Sequence, residues 1–281
     1  MDAVALALAS AALFGAMTVA LRFALTRVPD AEAGTFFTIL TAVGVTLPFV
    51  AARPLQLDGL WPFLLAGMLG PGLSQLLFTL AVRDAGPSRA SLTVGTAPLF
   101  AVVIAFALLG EPAKAGLIAG ALLIVVGGIL LVAERGRPEH VKRIGLLFAF
   151  AGTLVFATRD NLVRHLSIET DVAPALAAGA TLAAGGTVVA AYLLLSRRNL
   201  PAGGLRAFAP SGILFGLSYV CLFEAYFRGR VSVVSPLVAT ESLWGVGLSA
   251  VLLRRHELVG PRLFAGAALV VAGGALIGVF R

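Results

Sequence analysis

One carboxylate is conspicuous for where it sits. The stretch from Val231 to Leu253 reads VSVVSPLVATESLWGVGLSAVLL, 23 residues with a single formal charge, Glu241, near the middle. A helix rises about 1.5 Å per residue, so this stretch is long enough to cross the roughly 30 Å of hydrocarbon in a bilayer. A carboxylate at that depth costs several kcal/mol unless it is paired, hydrated or protonated, and its default reading is functional. At helical spacing Glu241 shares a face with Leu237, Trp244, Gly245 and Leu248. An acid beside an indole suits a cation or amine, which both the carboxylate and the ring attract. The alternative is a structural acid, protonated throughout and bonded to a nearby hydroxyl.

A second charged point is Arg159 with Asp160, reached after fifteen uncharged residues. Arginine grips carboxylates with a two-pronged geometry, which makes Arg159 a candidate for a substrate carboxylate and Asp160 a weaker ligand. Arg159 equally suits pairing with Asp160, Glu224 or Glu241, or reaching out to the membrane surface. Ser74, Gln75 and Phe78 lie on or near one helical face, and Tyr219 and Phe223 lie on another. At a spacing of 145 Ser74 meets Tyr219 and Phe78 meets Phe223, so the two stripes are internal counterparts. They line an amphipathic cavity from both sides or serve as packing. Phe14, Met17 and Thr18 are weaker candidates of the same kind.

The elements that position these groups follow from composition. The chain is 59% hydrophobic and 12% charged, against about 25% charged for a soluble domain. Its mean hydropathy is +0.99. Charges fall in short clusters between long apolar runs, the pattern of a polytopic helical membrane protein. The net charge of +7 comes from Arg clusters between those runs. Such clusters orient a chain in an anionic membrane rather than bind nucleic acid. Cys221 is the single cysteine, which excludes an internal disulfide and any multi-cysteine metal site. His140, His165 and His256 sit at segment ends in structural or interfacial places, and no cofactor or metal is expected. Met1 to Leu25 lacks a basic leader and a small-residue cleavage site, so it reads as a first membrane helix.

Ten apolar segments can be marked, at about 3–25, 33–52, 58–82, 90–109, 114–133, 144–166, 173–195, 207–227, 231–253 and 260–280. Backbone groups in lipid must be satisfied internally, so these are helices; the alternation of a membrane barrel is missing. Residues 111–131 and 257–277 align without gaps at a spacing of 146 with about half their positions identical. Glu111 matches Glu257, Gly120 matches Gly266, and Gly127-Gly128 matches Gly273-Gly274. The first and sixth segments fit at 142, with Phe14 over Phe156 and Arg22 over Arg164. The chain therefore reads as one membrane domain of two five-helix halves, about 1–135 and 140–281. Five is odd, so the second half starts on the opposite membrane face, an inverted repeat as in secondary transporters. Odd-numbered loops and their flanks hold 14 of the 21 Lys and Arg, which puts them in the cytoplasm and both termini outside.

Other features have plain structural roles. Glu111 and Glu257 begin helices five and ten, where a cap or the helix dipole favours a carboxylate. Pro48, Pro71, Pro98 and Pro236 mark bends or gating points. Gly116-x3-Gly120 and Gly274-x3-Gly278 allow close packing, within the monomer or in a weak homodimer.

The five-plus-five plan, Leu-Gly-Glu-Pro at 109–112, and the Gly-x6-Gly-Gly pattern of both halves resemble the drug/metabolite transporter superfamily, above all its EamA branch. The resemblance covers nearly the whole chain. It implies ten short helices around a central cavity, amino-acid export and a peripheral place for helices five and ten; it also implies termini inside, against the charge count. The expected protein is thus a multi-pass transporter of a bacterial inner membrane, surrounded by lipid and moving a small amphipathic molecule by alternating access, most simply an amino acid. Glu241 would hold the amine or exchange a proton, and Arg159 would receive the carboxylate. Drug-like cations and other metabolites are the alternative cargo. An intramembrane enzyme would need a nucleophile with its base or metal ligands within the membrane, and no Gly-x-Ser-x-Gly, His-Glu-x2-His or mid-helix His is present. A channel or a scaffold is the remaining alternative.

Overall fold

The computed structural model describes residues 2–53, 55–85, 90, 93–94, 96–110, 114–132, 143–168, 170–252 and 261–280. Among these residues the chain is helical and contains no strand. In order the helices are α1 (Ala3–Arg27), α2 (Ala31–Ala51), α3 (Trp61–Gly67), α4 (Ser74–Ala85), α5 (Ala97–Leu108), α6 (Ala115–Val132), α7 (Arg143–Ile168), α8 (Pro174–Leu195), α9 (Gly204–Arg228), α10 (Val231–Val238), α11 (Glu241–Leu252) and α12 (Pro261–Phe280). Six spans among the described residues are long and apolar enough to cross a membrane: α1, α2, the combined Trp61–Ala85, α7, α8 and α9.

Two expected helices are broken. The third segment passes through a π-helical turn, Met68–Leu73, where Gly70 is extended at φ −144°, ψ 116° just before Pro71. The ninth, expected as one helix, stops at Val238 and restarts at Glu241 across the turn Ala239-Thr240. At the break the Thr240 N–H and hydroxyl both donate to the Leu237 carbonyl, at 3.1 and 2.7 Å, a tight turn in place of the helical ladder. Pro48, by contrast, lies inside the continuous α2. Glu111, Glu257, His140 and His256, and the side chain of Pro98, lie outside the described residues.

The helices carry polar atoms in lipid by satisfying them locally. The hydroxyls of Thr18, Thr35, Thr79, Thr153 and Thr181 each donate to the carbonyl four residues back, at 2.6–3.1 Å. Such bonding removes the cost of an unpaired hydroxyl where water is absent.

Small residues fix how the helices meet, and the contacts come in exchanged pairs. A Cβ added at Gly120 of α6 would lie 2.8 Å from the Gly273 carbonyl oxygen, and one at Gly127 would lie 2.7 Å from that of Gly266. Gly145 closes on Ala85, and Gly229 closes on Ala3. Gly67 abuts the Thr181 carbonyl, Gly212 that of Thr38; Gly185 abuts Pro71, and Gly216 abuts Ala42. Each contact turns into its partner when residues of one half are renumbered onto the other at spacings of 142 to 146. α1 packs mainly on α9, α4 on α7, and α2 on both α8 and α9, while α6 and α12 pack chiefly on each other at the periphery. Gly120, Gly127 and Gly273 thus serve packing within the chain.

Candidate functional site

A cavity opens where α1, α7, α9 and the break between α10 and α11 converge. It encloses about 500 Å³ of empty space, part of it open to the outside, and its walls are mainly apolar. The breaks in the scaffold explain its position. Where α10 ends, Ser235, Val238 and Ala239 face the cavity, and Glu241 heads the next helix instead of lying mid-helix. The extended Gly70 lets the stem of a neighbouring arginine pass: a Cβ on it would lie 3.1 Å from Cγ of Arg159.

Arg159 is 3% exposed and held on several sides. Its Nε lies 2.9 Å from Asp160 Oδ1, and its Nη1 donates to the Tyr219 hydroxyl at 3.1 Å. The guanidinium carbon stands 5.2 Å from the Tyr219 ring centre and 5.6 Å from that of Phe156. The Tyr226 hydroxyl lies beside Asp160 and Ser235. Of the two sequence readings of Arg159, pairing with Asp160 is therefore realised, and the charge still lines the cavity.

Glu241 is 7% exposed and also lines the cavity. Among the described residues its carboxylate has no hydrogen bond or ion pair, although it feels the charges of Asp160 and Arg159. With both acids ionised the cluster carries one negative charge in excess. A cationic group or a proton balances it. An unpaired carboxylate in a low-dielectric wall attracts either far more strongly than one in water.

The remaining expected residues divide. Phe14 and Tyr219 line the cavity with Glu241 and Arg159. Phe78 and Phe223 are fully buried behind that wall: Phe78 packs on Phe14 at 5.6 Å between ring centres, and Phe223 stacks on Tyr219 at the same distance. Met17, Thr18, Ser74 and Gln75 are buried away from the cavity surface. The Ser74 hydroxyl and Gln75 amide have no hydrogen-bond partner among the described residues. Trp244 requires correction: it is 44% exposed and does not line the cavity. The close approach of α11 to α1 is responsible. A Cβ on Gly15 would lie 2.7 Å from Cβ of Trp244, so the base of this side chain lies against α1.

Sequence reasoning missed Ser10, Ser218, Ser235 and Phe156. Ser10 and Ser218 link α1 to α9 on the cavity wall, hydroxyl to hydroxyl at 3.0 Å, with Ser218 also reaching the Ser10 carbonyl at 3.0 Å. Signals for them existed: Ser10 is one helical turn before Phe14, Ser218 adjoins Tyr219, and Phe156 is Phe14's counterpart. Among the described residues no group of three or more His, Cys, Asp or Glu gathers to hold a metal.

A solved crystal structure overlays this fold with a TM-score of 0.80 at 22% identity, covering 99% of this chain and 96% of that one. A probable terminal-alkyne amino-acid exporter of Streptantibioticus cattleyicolor is 27% identical over 267 residues, 87% of this chain and 83% of that protein. An uncharacterized transporter of Methanothermobacter thermautotrophicus is 24% identical over 197 residues, 68% of this chain and 57% of that protein. The EamA-like transporter family matches residues 1–133 and again 143–279. Two consecutive matches, one per half, and the apolar helices make this a multi-pass membrane protein that belongs to the EamA-like transporter family.

Proposed function

We propose that the protein exports small amphipathic metabolites, amino acids foremost, from a bacterial cell across its inner membrane. Two inverted five-helix halves would rock around the cavity, and the exchanged glycine contacts support that plan. The observation that carries the reading is a mainly apolar cavity holding Arg159, Asp160 and the unpaired Glu241. The cargo's amine balances the excess negative charge at Glu241. Its carboxylate approaches Arg159, and its side chain lies against Phe14, Phe156 and Leu222. The relative named as an amino-acid exporter supports the choice of cargo. Lipid surrounds the chain, and it works as a monomer or a weak homodimer.

The test uses proteoliposomes preloaded with labelled phenylalanine, which lose label faster than protein-free vesicles. Glu241→Gln slows that loss about tenfold or more, since removing one charged partner is worth about 1.5–3 kcal/mol. Equal loss with and without protein ends the amino-acid reading. A second reading, export of drug-like cations, is favoured by the engagement of Arg159 with Asp160 and Tyr219. Phenylalanine methyl ester, which keeps the amine and lacks the carboxylate, separates the two. Faster export of the ester than of the free acid selects the cation reading.

A further inference from the structure

The turn that presents Glu241 has a structural copy in the first half. At a spacing of 144, residues 91–99, SLTVGTAPL, lie over residues 235–243, SPLVATESL. Ser91 matches Ser235, Val94 matches Val238, Thr96 matches Thr240 and Leu99 matches Leu243. The backbone recurs with them. The chain is helical at Thr93 and Val94, turns at Thr96 and is helical again from Ala97. The Thr96 N–H and hydroxyl both donate to the Thr93 carbonyl, at 3.1 and 2.6 Å, and the Leu99 N–H donates to the Thr96 carbonyl at 3.0 Å. At the other break the Thr240 N–H and hydroxyl share the Leu237 carbonyl in the same way, and the Leu243 N–H donates to the Thr240 carbonyl at 2.9 Å.

Both turns face the cavity. Val94 and Ala97 line it from one, Val238, Ala239 and Glu241 from the other, and α10 packs on α5. With Phe14 and Phe156 the wall holds three exchanged pairs. Two of them keep their residue, ring for ring and valine for valine. The third does not. The place that Glu241 takes in the second half belongs to Ala97 in the first, and the two are alike in burial, 7% and 8% exposed.

That difference limits what the cavity can hold. Among the described residues lining it, the charged ones are Arg159, Asp160 and Glu241. Arg159 already pairs with Asp160, which leaves Glu241 as the acid open to a cation. An ammonium group taken out of water is costly unless an acid meets it. One such group is met at Glu241; a second, reaching the matching place, would find a methyl group.

We propose that Ala97 is a specificity-determining residue, the uncharged copy of the Glu241 position, and that it restricts the cavity to cargo with one cationic centre and an uncharged far end. Ala97 has this role in binding whether or not the bound molecule is then carried. Its part in transport rests on the reading above.

Thermal stabilisation of the full chain in detergent reads binding directly, with norleucine set against lysine and pentylamine against its diamine, cadaverine. The parent protein is stabilised by norleucine and pentylamine, while lysine and cadaverine need concentrations about tenfold higher or more. Ala97→Glu reverses the order within both pairs. Ala97→Gln, of the same size without the charge, does not. The charge is also added after folding: Ala97→Cys in Cys221→Ser protein, reacted with a sulfonatoethyl methanethiosulfonate, gives the same reversal. Equal binding of monoamine and diamine by the parent overturns the role of Ala97, and so does an unchanged order in the charged variants. A reversal in Ala97→Gln overturns it too, because charge would not be the cause, as does a thiol at this position that the reagent never reaches. Stabilisation by pentylamine without norleucine leaves Ala97 its role and removes the amino-acid reading. Stabilisation by none of the four removes both. Release of labelled norleucine from proteoliposomes completes the set: the expected binding order with no release keeps the role of Ala97 and removes the transporter reading.

Discussion

Where α1 passes the cavity, the first half carries Phe14, Met17 and Thr18; where α7 passes it, the second half carries Phe156, Arg159 and Asp160 at the matching places. The aromatic rings are kept, and both line the cavity. The charges are not, for Met17 is fully buried among apolar neighbours while Arg159 and Asp160 hold each other. Glu241 likewise belongs to the second half. A duplicated scaffold thus provides the walls twice and the chemistry once. The glycine contacts that must be symmetric to keep the halves packed have stayed symmetric. The positions free to differ have diverged into one charged wall and one apolar wall.

Grafting charge into the apolar half breaks this contrast most severely. Met17→Arg buries a cation with no acid beside it, which costs several kcal/mol, and yield of folded protein in detergent falls sharply. Next comes Arg159→Met, which strands Asp160 and costs about 3–5 kcal/mol, read as a lowered melting temperature. Copying the first half completely, with Arg159→Met and Asp160→Thr together, recovers most of that loss while transport stays lost. If the double variant is no more stable than the single one, the pair is not acting as a unit. Smaller still are Gly120→Ala and Gly266→Ala, counterparts in one interface, each destabilising by about 1–3 kcal/mol through overpacking. Their costs agree with each other, while Gly44→Ala, with nothing within 4 Å of an added Cβ, is neutral or mildly stabilising. The smallest change is Ser10→Ala, about 1 kcal/mol for the lost link to Ser218. A large loss of transport in that variant would move Ser10 from wall to ligand.

How much of this was readable beforehand depends on what each feature needs. The helices and the two halves follow from apolar runs and from glycines in register, since a bilayer leaves the backbone few other choices. Glu241 and Arg159 were legible because charge in an apolar run is costly wherever it points. The exposure of Trp244 was not, because helical spacing from Glu241 says nothing of how closely α11 approaches α1 at Gly15. Ser10 and Ser218 were silent for another reason: a serine costs little in a membrane helix and signals nothing until its partner, 208 residues away, is placed against it.

That separation of 208 residues also has a meaning for biosynthesis. A ribosome adding about 5–20 residues per second needs about 10–40 s to deliver α9 after α1 has emerged. Through that interval the leading helix rests in the bilayer with its serine and its small-residue face against lipid or insertion machinery. Assembly of the core is therefore a late event, and a chain cut short after its first half would leave its opening helix without the surface it was shaped to meet.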